Sequence, residues 1–281
     1  MVKRFSVIIL CYNNSEYLKD CIDSVLMQDY SEIEIIVADD FSKSFDTEKF
    51  KKYCIENNKG NIKDIIIYRN AENVGTVRSA NIAFAKASGA YFKFIGGDDQ
   101  LAENRTLSNA AEALEKSLDG IITSDVLKCD INMNIIRKYP DNLQKNLNLI
   151  SPEDCFARLC IHNDIIDGGV FFRKDFFEKY GLFDENYRLL DDWPTWLRVT
   201  QAGGKIEYYE FLAMKYRANA GVGTSINPVY LADKKTVLNN VIIPQRKRLG
   251  LVNYLMARMS FILINSIFIR KTYAFLVGRK N

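Results

Sequence analysis

YFKFIGGDD, residues 91–99, decides how the amino-terminal half is read. Residues 91–95 have strand character and run into two glycines and two aspartates, so a strand ends where a turn delivers a pair of carboxylates. Working back from there, the same arrangement recurs. Residues 75–87 read as a helix, residues 64–68 (DIIIY) as a strand and Thr47–Asn57 as a helix. Residues 33–38 (IEIIVA) form another apolar strand, ending at Asp39 and Asp40. Phe5–Cys11 (FSVIILC) is an uninterrupted apolar run of strand length, followed by the polar YNNS. Asn14 or Ser15 can cap the next helix, in which Tyr17, Leu18, Cys21, Ile22, Val25 and Leu26 recur with helical spacing. Alternation of apolar strands with helices predicts a parallel sheet covered on both faces. Ligands bind such sheets beyond the carboxyl ends of the strands. One acidic strand end reads as a solvated turn or helix cap. Two Asp pairs at the edge of one sheet favour a site for metal and phosphate.

Toward the carboxyl terminus the pattern is less regular. Residues 120–124 (GIITS) read as a strand, residues 130–139 as a hairpin-like excursion and residues 154–161 as a helix. GGVFFR, residues 168–173, precedes a short helix at residues 174–180 closed by Gly181. A further helix, residues 193–202, carries Pro194 in its first turn, where a missing N–H costs little, and stops at Gly203 and Gly204. Asp191 and Asp192 stand just before it, either as caps or as a reactive pair aimed from a helix start. KIEYYE and AMKY are strand-like, and ANAGVGTS, residues 218–225, has the composition of a mobile loop.

Composition narrows the function classes. The 281 residues are 48% hydrophobic, enough for a core that needs no disulfide staples. Six cysteines without a C-x-x-C pair, and a single histidine, argue against a zinc site and for buried free thiols in a reducing compartment. No signal peptide is apparent at the start of the sequence, and a cytoplasmic location is expected. The net charge is +3, but no acidic residue follows Asp233, and the ten basic residues from there on leave the first 233 residues at −7. That profile does not fit a nucleic-acid binder. It fits an acidic body with a basic tail that meets something anionic.

The order of these motifs resembles the family 2 glycosyltransferases of the inverting GT-A fold. The resemblance runs from about residue 5 to about residue 225 through SVIILCYN, EIIVADDFS, NVGTVRSANIAFAKASGAYFKFIGGDDQ, GGVFFRKDFFEKYGLFDENYRLLDDWPTWLRVTQAGGKI and KYRANAGVGTS. It implies an α/β, Rossmann-like, mostly parallel sheet flanked by helices. It implies a nucleotide-sugar half over residues 1–120, an acceptor half over residues 121–225 and a helical extension over residues 226–281. A nucleotide-sugar donor, a divalent metal (Mn²⁺ or Mg²⁺) and a hydroxyl of a glycan or lipid-linked acceptor come with it. Residue by residue, Asp39 matches the carboxylate that contacts the nucleotide base. Asp98 and Asp99 match the metal motif, and Asp192 the catalytic base. Arg217 matches a group over the donor diphosphate. The chain departs from the family at Gly96, where the first acid of the D-x-D-D pattern is absent, so metal binding rests on Asp99 with Asp98 nearer the ribose. It departs again at Ala80, which replaces an arginine that Arg78 can substitute.

The chemistry agrees with this assignment. A departing diphosphate gains negative charge, which a cation held by one or two carboxylates can bridge. An attacking hydroxyl must lose its proton to a carboxylate, for which Asp192 is the candidate, and Asp191 would raise the pKa of one of the pair. Capping alone is the other reading of that pair. Trp196 is assigned to the core, Trp193 to the core or to stacking on an acceptor sugar, and His162 to the surface. A sugar nucleotidyltransferase would want a glycine-rich, basic loop after the first strand, which CYNNSEYL lacks. A nucleotide-sugar- or glycan-binding pseudoenzyme would be favoured by loss of the carboxylates. The apolar stretch VNYLMARMSFILINSIFI, residues 252–269, is broken by Arg258 and leaves an uncharged run too short to span a bilayer. It reads as an interfacial helix on anionic lipid, placing the protein peripherally at the inner membrane face, or as a helix packed on the body or in a homodimer seam.

Overall fold

The computed structural model describes residues 2–139, 145–218 and 227–265. Its strands are Phe5–Cys11 (β1), Ile33–Asp39 (β2), Ile62–Arg69 (β3), Tyr91–Gly96 (β4), Gln100–Leu101 (β5), Ile121–Cys129 (β6), Ile135–Tyr139 (β7), Phe171–Arg173 (β8) and Glu207–Arg217 (β9). Its helices are Leu18–Leu26 (α1), Thr47–Asn57 (α2), Thr76–Phe84 (α3), Thr106–Lys116 (α4), Pro152–Ile161 (α5), Lys174–Tyr180 (α6), Asp192–Gln201 (α7), Pro228–Val237 (α8) and Arg246–Asn265 (α9).

One sheet runs β3-β2-β1-β4-β8-β6-β9-β5, with β7 paired to β6. The expected parallel pairing holds from β3 to β4, and every residue of β2 is buried because helices cover both faces. Beyond β4 the sheet is mixed: β8 is antiparallel to both β4 and β6, while β6 and β9 are parallel. The strand β8 is three residues long, so periodicity could not distinguish it from a turn. The register sets Cys11 beside Asp39 and Leu10 beside Gly96, so β1, β2 and β4 end together.

Apolar side chains pack on both faces. One layer includes Leu18, Cys21, Ile22, Val25 and Leu26 of α1, the helical stripe read from the sequence. The other gathers Phe92, Phe94, Phe172, Phe176, Phe177 and Trp196, with the Phe172 and Trp196 rings stacked at 6.2 Å. The aromatic surplus of FKFIG and GGVFFR is therefore core. Gly75 opens α3 at φ 87°, and a Cβ there would stand 2.5 Å from the Arg188 carbonyl oxygen, so only glycine fits. Asp40 then accepts from the Val74 and Gly75 amides at 2.9 and 2.8 Å and from Asn70 Nδ2 at 3.0 Å, a turn-building duty.

The carboxy-terminal extension is part of this core. Val237, Leu238, Ile242, Leu249 and Ala257 are buried in the same cluster as Trp196, and α9 lies against α5. Arg248 grips Glu153 through Nε at 2.8 Å. No helix among the described residues is long and apolar enough to cross a membrane. Packing on the body thus accounts for the inner face of α9.

Candidate active site

The turn after β4 is built by its neighbours. The Gly97 amide donates to the Leu10 carbonyl at 2.8 Å, and the Asp99 amide to that of Gly96 at 3.0 Å. Asn14 does not cap α1, whose start has no side-chain cap. Instead its Nδ2 donates to Asp98 Oδ1 at 3.0 Å, while its Oδ1 accepts from the Tyr12 amide at 3.1 Å. From β9, the Arg217 amide donates to Asp99 Oδ1 at 2.8 Å and Arg217 Nε to the Asp98 carbonyl at 2.9 Å. The guanidinium also donates to the Ile131 carbonyl, reaches Asp20 at 3.4 Å and lies over the Tyr17 ring at 4.4 Å.

Asp98 and Asp99 are 5% and 7% exposed, so this strand end is enclosed and is not a solvated turn. The apolar β strands below and Arg217 beside them enclose it. Burial raises both carboxyls, and Asp98 pushes Asp99 further. Two enclosed carboxylates that repel one another are suited to a shared cation. A Cβ at Gly96 would stand 2.7 Å from Asp98 Oδ1 and 3.3 Å from Asp99 Oδ2, so glycine keeps this face of the pair open. The family's missing acid is thus the residue whose side chain would crowd the other two. The donor set is all oxygen and, among the described residues, no group of three or more His, Cys, Asp or Glu could hold a metal. Asp98 and Asp99 therefore fit Mg²⁺ or Mn²⁺, which complete their shell with water and phosphate oxygens, rather than zinc.

Asp39, at the end of β2, is fully buried. It accepts from the Ser42 amide at 2.9 Å and from Ser42 Oγ, and Arg69 Nε lies 3.4 Å away. An ionised carboxylate offers about four acceptor sites, so one further donor can be received there. Arg78 stands exposed on α3, 4.0 Å from Glu185, and makes no contact with the other candidates among the described residues.

Across the sheet edge, Asp192 begins α7. Asp191 occupies the N-cap position, but its side chain makes no capping bond, so capping alone does not explain the pair. Asn163 Nδ2 donates to Asp192 Oδ2 at 2.7 Å. Burial and the neighbouring Asp167 and Asp192 raise the Asp191 carboxyl well above its usual range, and burial raises that of Asp192. Asp167, in the turn before β8, is pushed up to about 6 by burial, with Lys93 opposing the shift. Lys93 is fully buried on β4 and donates through Nζ to the carbonyls of Gly168 and Val170 at 2.8 and 3.1 Å. Trp193 is core: its indole N–H donates to the Leu159 carbonyl at 2.7 Å. His162 is exposed and bonded to Asp164 at 2.7 Å, as a surface residue.

The Asp98–Asp99 pair after β4 and the group of Asp167, Asp191 and Asp192 are linked through buried Lys93, on which both Asp167 and Asp99 act. The family profile described as glycosyl transferase family 2 matches residues 6–181. The chain belongs to glycosyl transferase family 2. An uncharacterized glycosyltransferase of Haemophilus influenzae is 27% identical over 236 residues, 79% of this chain and 67% of that one. The processive diacylglycerol β-glycosyltransferase of Mycoplasma genitalium is 27% identical over 239 residues, 82% and 69% of the two chains. The uncharacterized glycosyltransferase EpsJ of Bacillus subtilis is 27% identical over 231 residues, 80% of this chain but 64% of its own length. Among solved structures, S. aureus TarS 1–349 with UDP-GlcNAc superposes with a TM-score of 0.62 at 19% identity, covering 99% of this chain and 76% of TarS. The mannosyltransferase PcManGT of Pyrobaculum calidifontis, with GDP-Man and Mn²⁺, gives 0.61 at 16% identity, covering 99% and 80%. The fold of this family 2 glycosyltransferase is therefore GT-A.

Three residues of the site escaped the sequence reading: Asn163, Asp167 and Lys93. Asn163 and Asp167 sit in the irregular run between α5 and β8, and only the tertiary fold brings them to α7. Lys93 did carry a signal, a lone charge inside an otherwise apolar strand.

Proposed function

We propose that the enzyme is a metal-dependent, inverting transferase that moves a sugar from a nucleoside-diphosphate donor, UDP-sugar first, to a hydroxyl of a glycan or lipid-linked acceptor. The observation that carries this reading is the 2.7 Å hydrogen bond by which Asn163 orients Asp192 in a buried group with Asp167 and Asp191, with Lys93 acting on both Asp167 and Asp99. Asp99, with Asp98, would hold Mg²⁺ or Mn²⁺, which when bound supplies positive charge to the leaving diphosphate. From the protein side the Arg217 amide holds the Asp99 carboxylate and its Nε the Asp98 carbonyl, and the contact of its guanidinium with the donor diphosphate is part of this proposal. Asp39 keeps one acceptor site for a base N–H, which favours uracil or the same edge of thymine. Arg78 would reach a phosphate only by leaving Glu185.

Asp192 takes the acceptor's hydroxyl proton as that oxygen attacks the anomeric carbon. The new C–O bond forms on the face opposite the diphosphate, whose own C–O bond breaks with the electron pair leaving on it, so configuration inverts. A base whose pKa is raised toward the working pH accepts a proton more readily while remaining ionised in useful amount. A PcManGT complex with GDP-Man and Mn²⁺ supports the metal, and a relative named for diacylglycerol supports a lipid acceptor. The outward apolar stripe of α9 supports a peripheral position on a membrane.

Asp192→Asn tests the reading. Transfer should fall ~10²–10⁴-fold, while UDP with Mn²⁺ binds as in the wild type by isothermal titration. If Asp191→Asn is the crippling change and Asp192→Asn the mild one, the base is misplaced by one residue. A thermal-shift panel of UDP-, GDP- and dTDP-sugars with Mn²⁺ ranks the donors. Binding without hydrolysis of any of them would favour a pseudoenzyme.

A further inference from the structure

A cleft of about 230 Å³ lies among α5, α7, α8 and α9, and it reaches the residue that holds Asp192. Asn163, which holds Asp192 Oδ2 at 2.7 Å, lines one end together with Tyr230. Burial and the charges of Asp192 and Asp191 all raise the Tyr230 hydroxyl, so this end lies in the field of the reacting carboxylates. Away from it the lining is mostly apolar, with Leu190, Trp193, Ile242, Ala257 and Phe261, and His162 and Lys234 are polar members of it. The one hydrogen-bond donor of Trp193 is already committed to Leu159, so the indole offers the cleft only its ring. The apolar members suit a hydrocarbon chain, while Asn163, Tyr230, His162 and Lys234 suit a polar end group.

The far rim is formed by Ala257, Ser260 and Phe261 of α9. On the same helix Leu255, Met256, Met259 and Ile262 are 44–60% exposed. Apolar surface therefore continues from the cleft wall, around the rim, to the outside of the molecule. A ligand that fits has a hydroxyl at one end and a hydrocarbon body that exits over α9.

Resting on the transferase reading above, we propose that this cleft binds the apolar body of an amphiphilic acceptor, an alkyl or acyl chain, and presents its hydroxyl-bearing end to Asp192. The occupant is a lipid-like chain rather than a second sugar unit. Each methylene buried there should tighten binding roughly fourfold.

Octyl β-D-glucoside, titrated onto the full chain below its micelle-forming concentration, is the probe. Trp193 lines the cleft whereas Trp196 is fully buried elsewhere in the core, so a change in indole emission reports the cleft. Octyl glucoside should give a saturable change, hexyl glucoside, two methylenes shorter, should bind roughly fifteenfold more weakly, and glucose should give none. Ser260→Phe, which fills the partly exposed rim, should weaken octyl glucoside at least tenfold and leave UDP–Mn²⁺ binding and the melting curve unchanged. Ser260→Ala, which fills nothing, should bind as the wild type. In the unaltered protein, a diazirine-bearing octyl glucoside should label α7 and the inward side of α9, not Leu251 and Val252 on the outside. Equal response to glucose, an unsaturable response, or labelling confined to the outer face would overturn the proposal. Because none of these readouts needs turnover, they are separate from the donor-hydrolysis assay that decides whether the chain is a transferase.

Discussion

Asp99 is a carboxylate held in an unfavourable place. Burial and Asp98 raise its pKa, so the isolated fold would be no worse off with a neutral side chain. Asp99→Asn keeps an Oδ1 for the Arg217 amide and relieves the repulsion. We expect it to melt at or above the wild-type temperature while losing the stabilisation that Mn²⁺ plus UDP confers, as read by thermal shift. A retained metal response would remove Asp99 from the site. Asp167 makes a pH prediction. Its carboxyl titrates at about 6 in the folded chain against an ordinary value of 3.8, so the native state binds more protons than the unfolded state between those values. Its share of the stability should therefore fall as pH rises from about 4 to about 6, while Asp191 and Asp99, raised further, keep the total falling above that. Asp167→Asn should flatten that part of the profile in urea titrations taken at several pH values. At the same scale, Lys93→Met would leave the Gly168 and Val170 carbonyls without their donor. At ~1–3 kcal/mol for a buried group left unsatisfied, the variant should show a lowered urea midpoint with an unchanged slope.

The elements divide by how much of their environment they carry in their own sequence. β1, β2 and β4 are buried on both faces, so their apolar runs and acidic ends were readable without the fold, and Asp39, Asp98, Asp99 and Asp192 could be named from strand ends and a helix start. β8 and β5 are short pieces of sheet defined by their partners, and the turn holding Asp167 is placed by Lys93 from another strand. Nothing local marks these. Arg217 was named at the end of β9, and only the fold shows that the Asp98 and Ile131 carbonyls and Asp20 surround its guanidinium. The loop of residues 218–225, read as mobile from its composition, lies beyond Ala218 outside the described residues. One element also carries a strained residue. Gly250 interrupts α9 at φ 71°, ψ 168°, a region essentially restricted to glycine, and a Cβ there would meet nothing within 4 Å. Gly250→Ala should thus cost ~1–3 kcal/mol through the backbone alone. Denaturant titration measures it, and a loss near zero would mean the helix simply straightens.

At the scale of the molecule, α9 belongs to two environments. Leu249 and Ala257 are sealed into the core, while Leu251, Val252, Leu255, Met256, Met259 and Ile262 form an outward apolar stripe with Arg246, Lys247 and Arg258 on the same helix. Removing the carboxy-terminal segment would expose the core, so the membrane expectation is better tested by charge on the outer stripe. Full-length protein should float with anionic liposomes at low salt and be released at high salt, since each basic residue near such a surface contributes ~1 kcal/mol. Leu255→Glu with Met259→Glu should abolish flotation without changing the melting curve. Wild-type protein that stays in the soluble fraction would leave the stripe to a homodimer seam. The basic residues from Arg270 onward lie outside the described residues.

All six cysteines are buried, and desolvation suppresses their thiolates, with Cys11, Cys54 and Cys160 pushed up to about 12. The native molecule should be nearly inert to alkylating reagents, so each sulfur becomes a clock for the opening of its own neighbourhood. Cys54 sits on the buried face of α2, in the amino-terminal half of the chain, whereas Cys160 sits on α5 beside α9 and lines the cleft. If the carboxy-terminal helix can peel away while the amino-terminal half stays closed, pulsed alkylation will mark Cys160 long before Cys54. Equal labelling rates would mean that the whole chain opens as a single cooperative unit.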